Sequence, residues 1–241
     1  MSMIIPLKEI NMIEVTSREL PEDMEKGIRD NWSTLLTRCP GMFNGPVFST
    51  VKMENDEGKV TLSCELSNYA HYKYSEIRDM GEYACRNTYA GCIVVSTDKR
   101  FFVSLNGNGS EFVGKIQIIG GVIDPDDRST GNVNKLSPVV TALRELEEEA
   151  GSEIRNSITD VGRSYLVTNG KKYGIHTVVY SDLDSAGIYS AFDSFKKETG
   201  NNEIDKLISF SLDAMEELQK YVSSQDLEVV NLLRMIMMES R

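Results

Sequence analysis

The 241-residue sequence is poor in the residues that zinc sites and disulfide scaffolds require. It has four cysteines without a C-x-x-C pair, and two histidines, His71 and His176. We therefore expect neither a zinc site nor a disulfide framework. No apolar run approaches the length of a membrane span, and the first residues lack the basic and apolar regions of a signal peptide. These features favour a cytoplasmic protein.

Positive charge is also scarce, with 26 Lys and Arg against 37 Asp and Glu and a net charge of −11. This balance disfavours a nucleic-acid binder, because binding to a phosphate backbone needs a cationic face. The negative net charge does not exclude a small anionic substrate, since a bound divalent cation makes the local electrostatic potential positive. The hydrophobic share of 40% is that of an ordinary globular protein.

The sequence contains strand and helix patterns in an irregular mixture. Helical patterns cover 21–36, 137–150, 214–221 and 227–238, and strand patterns cover 47–53, 59–66, 92–96, 101–105, 115–119, 164–168 and 174–180. The mixture predicts an α/β sandwich and not a repeating βαβ sheet. We place a small N-terminal α+β extension at residues 1–85 and a second domain, ending in helices, at 86–241.

An acidic run stands out within the helix predicted at 137–150. At about 100° per residue, Glu145, Glu148 and Glu149 share an arc of about 100°, while Glu147 points elsewhere. A separate apolar arc would pack on the sheet, formed by Val139, Ala142, Leu143, Leu146 and Ala150. The alternative is that the run is only a solvated helix face, which such runs usually are.

Three carboxylates on one arc repel one another and raise one another's pKa unless a cation lies between them. Mg²⁺ takes oxygen ligands, often one or two carboxylates together with substrate phosphates. The pattern therefore predicts a helix that binds a metal ion and, through it, an anionic substrate.

The context of the run resembles the Nudix hydrolase family. That family's signature is G-x5-E-x7-R-E-U-x-E-E-x-G-U, where U is a bulky apolar residue. Gly121 matches the first glycine, and the second half is matched by Arg144, Glu145, Leu146, Glu148, Glu149 and Gly151. A strand pattern that runs into Gly120 and Gly121 resembles the usual entry to the motif. The resemblance covers about residues 88–215.

The sequence departs from the signature in three places. Arg144 lies 23 residues after Gly121, which is about nine more than in the signature, and we expect the extra residues to form an exposed loop at 125–135. Leu136 stands where the first glutamate belongs, and Asp126 or Asp127 is a candidate to replace it. Ser152 takes the last apolar position.

The resemblance implies a Nudix-type α/β/α sandwich with a mixed sheet. It also implies hydrolysis of a nucleoside diphosphate linked to another group, in which Mg²⁺, or Mn²⁺, activates a water that attacks the pyrophosphate. Glu145, Glu148 and Glu149 would bind metal, with Glu145 as an alternative water-orienting group, and Arg144 would fix the glutamates. Gly120 and Gly121 would belong to the substrate loop. The expected partner is a small nucleotide derivative, with no nucleic acid or membrane, and a homodimer is left open.

Further site residues follow from position in the chain. Glu203 precedes a strand pattern at 204–210, where the resemblance implies a general base, and the alternative is an ordinary loop carboxylate. His176 and Cys92 are interpreted as structural strand residues. The methionines near 235–238 fit a core or a dimer face.

Substrate choice rests on a shorter pattern. The segment 40–45, Pro-Gly-Met-Phe-Asn-Gly, resembles the N-terminal extension of a Nudix subgroup associated with UDP-sugar hydrolysis, although turn chemistry alone also explains it. It favours a nucleotide-sugar. Tyrosines near residue 70 can stack on a base or sugar, and candidate phosphate partners are Arg86, Lys115 and Lys171. The competing hypothesis is a catalytically inactive Nudix domain that senses or scaffolds a nucleotide ligand.

Overall fold

The computed structural model describes residues 2–110, 113–129, 131–211 and 227–239. Its helices are α1 (Glu22–Arg38), α2 (Tyr69–Ile77), α3 (Pro138–Ala150), α4 (Ser152–Asn156), α5 (Ser185–Thr199) and α6 (Leu227–Glu239). Its strands are β1 (Met3–Pro6), β2 (Glu9–Val15), β3 (Pro46–Asp56), β4 (Lys59–Asn68), β5 (Asn87–Val95), β6 (Arg100–Asn106), β7 (Ile116–Gln117), β8 (Ile119–Val122), β9 (Arg128–Ser129), β10 (Asn132–Leu136), β11 (Ile158–Thr168), β12 (Lys172–Ser181) and β13 (Ile204–Ser211).

The strands form one mixed sheet. Its main path runs β1-β11-β12-β5-β3-β4-β2-β10-β9, and β6, β7, β8 and β13 join beside β5. Two pairs are parallel, β12 with β5 and β2 with β4, while the remaining pairs are antiparallel. The predicted mixed α/β class is confirmed.

Helices cover both faces of the sheet around β5. Successive strand residues point to opposite faces, so Cys92 and Val94 pack with α3 and α5, whereas Ile93 and Val95 pack with α6. Cys92 is fully buried, as the sequence predicts for a strand residue. The result is the α/β/α layering that the sequence analysis expects.

Helix α3 begins and ends where the sequence predicts. The Ser137 side chain accepts a hydrogen bond from the backbone N–H of Val140, and Pro138 occupies the first turn, where its missing N–H costs nothing. Gly151 ends the helix with φ 101°, a backbone conformation that side chains disfavour. The apolar arc of the helix packs on the sheet through Ala142, Leu146 and Ala150.

The N-terminal residues join the same sheet as the rest of the chain. β1 pairs with β11, β2 pairs with β4, and β3 pairs with β5. Neither β1 nor β2 is predicted by the sequence patterns, because β1 has only four residues and β2 contains the polar residues Glu9, Asn11 and Glu14. Helices α1 and α2 pack together around Ile28, Ala70 and Met80. The division at residue 85 stays a prediction.

The segment at 125–135 is not simply the exposed loop that its composition predicts. β9 and β10 form a small hairpin within it, and β10 pairs with β2, with Leu136 opposite Met12. Arg128 also forms an ion pair with Glu14. The polar composition conceals the hairpin because only Leu136, at its end, packs in the core, while backbone pairing and the Arg128–Glu14 ion pair provide its other contacts with β2.

Three other regions differ from the predicted elements. The strand predicted at 115–119 is divided into β7, which pairs with β6, and β8, which pairs with β5. Helices α4 and α5 lack a sequence prediction. The helix predicted at 214–221 lies outside the described residues. No helix in the described ranges is long and apolar enough to cross a membrane.

Leu136 occupies the position of the missing glutamate, and its burial explains why a carboxylate is absent. It is 1% exposed and packs with Ile5, Met12 and Ile123. We expect Leu136→Glu to lower the free energy of unfolding by about 3 kcal/mol or more, because the new carboxylate loses water without gaining a partner. Urea unfolding measures the change. Val140→Glu, on the exposed face of α3, is the control and should change little; equal unfolding midpoints for the two variants would contradict this account.

Candidate active site

Arg144 holds the acidic face of α3 in place. Its guanidinium contacts Asp127 at 3.0 Å, Glu145 at 2.9 Å and Glu148 at 3.0 Å. It also donates to the backbone carbonyl of Val122, at the end of β8, at 3.1 Å. One side chain therefore ties the helix to the hairpin segment and to the Gly120–Gly121 strand.

Asp127 is the buried anchor of this arrangement. Its two carboxylate oxygens accept hydrogen bonds from Arg144, and Oδ2 also accepts from the Thr141 hydroxyl at 2.8 Å and the Asp124 backbone N–H at 2.9 Å. Burial raises the pKa of Asp127, but the hydrogen bonds from Arg144, the Asp124 backbone and Thr141, together with the charge of Arg144, outweigh burial and hold the pKa below its ordinary value. Asp127 is thus a partner of Arg144. Asp126, the other candidate replacement, is exposed.

Glu145 lies against the second glycine of β8. A Cβ atom on Gly121 would lie 2.5 Å from Oε1 of Glu145, so a side chain there would displace the carboxylate from this position. The pKa of Glu145 is raised to about 7, chiefly by burial and also by repulsion from Glu148 and Glu203, while Arg144 opposes the rise. The residue is 9% exposed. This is a carboxylate withdrawn from water and held by one cationic partner.

Glu149 and Glu203 line one pocket of about 190 Å³, named here the carboxylate pocket, whose other walls include Asn106, Gln117 and Gly120. The pKa of Glu149 is raised to about 8, chiefly by burial and also by repulsion from Glu203 and Glu145, while a hydrogen bond from the Gly120 backbone opposes the rise. Partial burial and the charge of Glu148 raise the pKa of Glu203. The two carboxylates therefore face a shared space.

The loop that carries Glu203 is fixed to its surroundings. The Gly107 N–H donates to the Glu203 carbonyl at 2.7 Å, and the Gly109 N–H donates to the Asn202 carbonyl at 3.0 Å. The Asn201 amide reaches the Glu148 carbonyl on α3 at 3.3 Å. These bonds position Glu203 beside the acidic helix, which sequence spacing alone does not reveal.

The structure thus brings together all the acidic residues that the sequence selects: Glu145, Glu148, Glu149 and Glu203. Glu147 is exposed on another side of the helix, as predicted. In the part of the chain that the structure describes, no three His, Cys, Asp or Glu side chains are grouped closely enough to hold a metal ion by themselves. The available donors are carboxylate oxygens, which suit a hard cation that completes its shell with other ligands.

A larger pocket of about 490 Å³ adjoins the carboxylate pocket. We name it the tyrosine–lysine pocket after the residues Tyr69, Tyr72, Lys73, Tyr89, Lys115 and Lys172. Gln117, Ile118 and Gly120 line both pockets. Sequence reasoning selects Lys115 and the tyrosines near residue 70, but it misses Lys73 and Lys172, because surface lysines carry no distinguishing local pattern.

The segment 40–45 supports this pocket indirectly. The Asn44 side chain accepts a hydrogen bond from the Ala70 N–H at 2.7 Å, and the Gly45 carbonyl accepts one from the Tyr69 N–H at 2.9 Å. Both bonds satisfy donors at the N-terminus of α2. Arg86 and Lys171 do not line either pocket.

Comparison with known proteins gives only distant structural likeness. No family model and no curated protein matches the chain. A Nudix hydrolase from M. smegmatis, RenU, is similar over 62% of this chain and 83% of its own, at 12% identity and TM-score 0.36. The NUDIX domain of Shewanella oneidensis NrtR, solved with ADP ribose, is similar over 67% and 95%, at 12% identity and TM-score 0.36. Likeness at TM-scores below 0.5 carries no argument about activity, which therefore rests on the residues of the site.

Asp127→Asn tests the anchoring of Arg144. At pH 7 we expect the free energy of unfolding to fall by about 2 kcal/mol, because the charged hydrogen bonds to Arg144 are lost. Because the pKa of Asp127 is lower in the folded than in the unfolded chain, its carboxylate stabilises the fold at pH values above the unfolded pKa of about 4. The difference in unfolding free energy between parent and variant should therefore shrink as the pH falls below about 4 and through the folded-state pKa. Urea unfolding of both proteins at several pH values measures it. Asp126→Asn is the control, and an equal loss in both variants would contradict the assignment.

Proposed function

We propose that this chain is a Mg²⁺-dependent Nudix-type pyrophosphohydrolase. Its substrate would be a nucleoside diphosphate linked to another group, with a nucleotide-sugar favoured. The observation that carries the proposal is the group of three carboxylates around Gly120 and Gly121, which are Glu145, Glu149 and Glu203. Glu145 and Glu149 have pKa values raised to about 7 and 8. Carboxylates held this close repel one another, and a divalent cation bound between them would offset that repulsion.

The donor set fits Mg²⁺, with Mn²⁺ as the alternative ion. Mg²⁺ is commonly held by one or two carboxylates and completes its shell with water and substrate phosphates. This kind of binding does not need three acidic side chains around the ion, and among the described residues no three lie close enough together to surround it. Glu145, Glu148 and Glu149 are the candidate residues, one or two of which would hold the ion directly. When bound, Mg²⁺ would neutralise the pyrophosphate and lower the pKa of an attacking water.

The chain's own side chains supply positioning and a proton acceptor. Arg144 fixes Glu145 and Glu148 by ion pairs, and the Gly120 backbone holds the Glu149 carboxylate. Glu203 would act as the general base, taking a proton from the water as its oxygen bonds to phosphorus and the anhydride P–O bond breaks. A raised pKa suits this role, because proton transfer favours a base whose pKa lies near the working pH.

The remaining expectations belong to the same proposal. The partner is a small nucleoside diphosphate derivative, and neither nucleic acid nor membrane is required. A cytoplasmic location is compatible with four free cysteines. A homodimer stays open: Ile236 and Met237 pack in the core, whereas Met238 is 70% exposed.

The alternative is a catalytically inactive domain that senses or scaffolds a nucleotide. The observation that favours it is Leu136, whose place in the core leaves no glutamate at that motif position. Asp127 bonds to Arg144, so the loss of this glutamate does not leave the arginine without an acidic partner.

Hydrolysis of a substrate panel distinguishes the two functions. We expect UDP-glucose to be cleaved to two phosphorylated products with Mg²⁺ and not with excess EDTA, with ADP-ribose and diadenosine tetraphosphate cleaved more slowly. Chromatographic separation of the products measures each rate. Binding of these nucleotides without cleavage of any would support the sensor function.

Glu149→Gln tests whether the Glu149 carboxylate is needed for catalysis even though its charge destabilises the folded chain. Above a pH of about 8, where the Glu149 carboxyl is ionised, the amide removes a buried like charge, so there the Mg²⁺-free variant should unfold at a temperature equal to or above that of the parent. Its turnover should fall by about 100-fold or more, because a metal-binding oxygen is lost. Calorimetric unfolding and turnover measure the two effects.

Glu147→Gln is the matched control, since it makes the same change on the exposed side of α3. It should leave turnover unchanged. Mg²⁺ should raise the unfolding temperature of the parent and of Glu147→Gln, but raise that of Glu149→Gln much less. An equal Mg²⁺ response in all three proteins would contradict the metal assignment.

A further inference from the structure

The tyrosine–lysine pocket contains two buried polar atoms that have no hydrogen-bond partner among the described residues. They are Oδ1 of Asn87 and Nδ1 of His176, and both side chains line the pocket. Asn87 is 8% exposed and His176 is 7% exposed. Buried polar atoms in native proteins are almost always bonded, since each unbonded one is costly. Both atoms are buried in the present side-chain positions, so a molecule that enters the pocket can supply the missing bonds when the two side chains turn toward it.

The chemistry of these two atoms limits what that molecule is. An amide oxygen only accepts, so Asn87 needs an N–H or O–H donor. Burial lowers the pKa of His176 to about 4, so its ring is neutral at physiological pH and does not attract a phosphate as an imidazolium would. The pair therefore suits an uncharged ring group with polar edges, such as a nucleobase or the hydroxyls of a sugar.

The outer part of the pocket has the opposite character. Lys73 and Lys172 contact Glu76 at 2.9 Å and 3.3 Å, and their ammonium groups lie 5.9 Å and 5.4 Å from the centre of the Tyr72 ring. With Lys115, three lysines line the pocket against two glutamates, Glu76 and Glu228. In a chain of net charge −11 this local excess of positive charge favours a ligand that also carries an anionic group.

The position of the pocket places such a ligand beside the carboxylate pocket. Gly91 on β5 lies opposite Gly120 on β8, and a Cβ atom on Gly91 would be 2.6 Å from the Ile119 carbonyl. Both glycines face the tyrosine–lysine pocket, and Gly120 also lines the carboxylate pocket. The volume of about 490 Å³ is within the range of small-molecule sites.

We propose that the tyrosine–lysine pocket binds the uncharged ring part of the substrate, a nucleobase or a sugar, and that Asn87 and His176 select it by hydrogen bonds. The identification of that ring as part of a pyrophosphate substrate rests on the proposed function. Tyr69, Tyr72 and Lys73 come from α2, within the predicted extension at 1–85. The extension is therefore part of the substrate site in this proposal.

Titration calorimetry of the full chain in excess EDTA tests the pocket without catalysis. The probes are UMP, glucose 1-phosphate and inorganic phosphate. The parent should bind UMP or glucose 1-phosphate more tightly than phosphate, and Asn87→Leu and His176→Leu should each weaken that binding by about tenfold. Preference for UMP identifies the ring as the base, and preference for glucose 1-phosphate identifies it as the sugar.

Asn31→Leu is the matched control. Nδ2 of Asn31 is the other buried side-chain atom without a partner in the described part of the chain, and it lies on α1 outside both pockets. This variant should bind every probe as the parent does. Asn87→Leu should not unfold at a lower temperature than the parent, since an apolar side chain of similar size removes an unbonded oxygen.

Two results would overturn the proposal: ring-bearing probes that bind no better than phosphate, or unchanged binding in both pocket variants. A separate measurement of hydrolysis with Mg²⁺ distinguishes a failure of the pocket assignment from a failure of the proposed function. If the parent cleaves a substrate and both pocket variants bind the probes as well as the parent does, only the pocket assignment is wrong. If the probes bind in a way that depends on Asn87 but no substrate is cleaved, the proposed hydrolase function is wrong and the pocket assignment stands.

Discussion

The contact between Arg144 and Asp127 is the interaction on which the rest of the site depends. Through it, the helix that carries the carboxylates is tied to the hairpin segment, and the same guanidinium reaches the end of β8. Asp127 is buried and has its oxygens satisfied by three neighbours, so it offers Arg144 a fixed anchor. Without this anchor, like charges on one helix face would be free to separate into water.

Two adjoining pockets of different charge lie beside β8. Carboxylates gather beside Gly120, while lysines gather across β5 and β8 on the side of α2. Glycines stand where these strands meet, because a side chain at Gly91 or Gly120 would collide with the opposite backbone. The proposed substrate, in which a pyrophosphate is joined to an uncharged ring, matches this arrangement.

Much of the fold follows from local sequence, although not the parts held by backbone pairing. Helix α3 is predictable because its cap, first-turn proline and terminal glycine agree with its apolar arc. The strands around β3, β4, β11 and β12 are predictable from apolar runs. β1, β2 and the β9–β10 hairpin are not, since they are short or polar and take their stability from distant partners.

For the site, the sequence by itself determined which glutamates share a helix face and that a metal-binding role is consistent with them, because helical spacing is local. Only the tertiary structure decided that Asp127 pairs with Arg144, that Leu136 belongs to the core, and that Glu203 lies beside Glu149. It also brought Asn87 and His176 into one pocket with residues of α2. These contacts join residues distant in the chain, and their formation depends on how the strands pair.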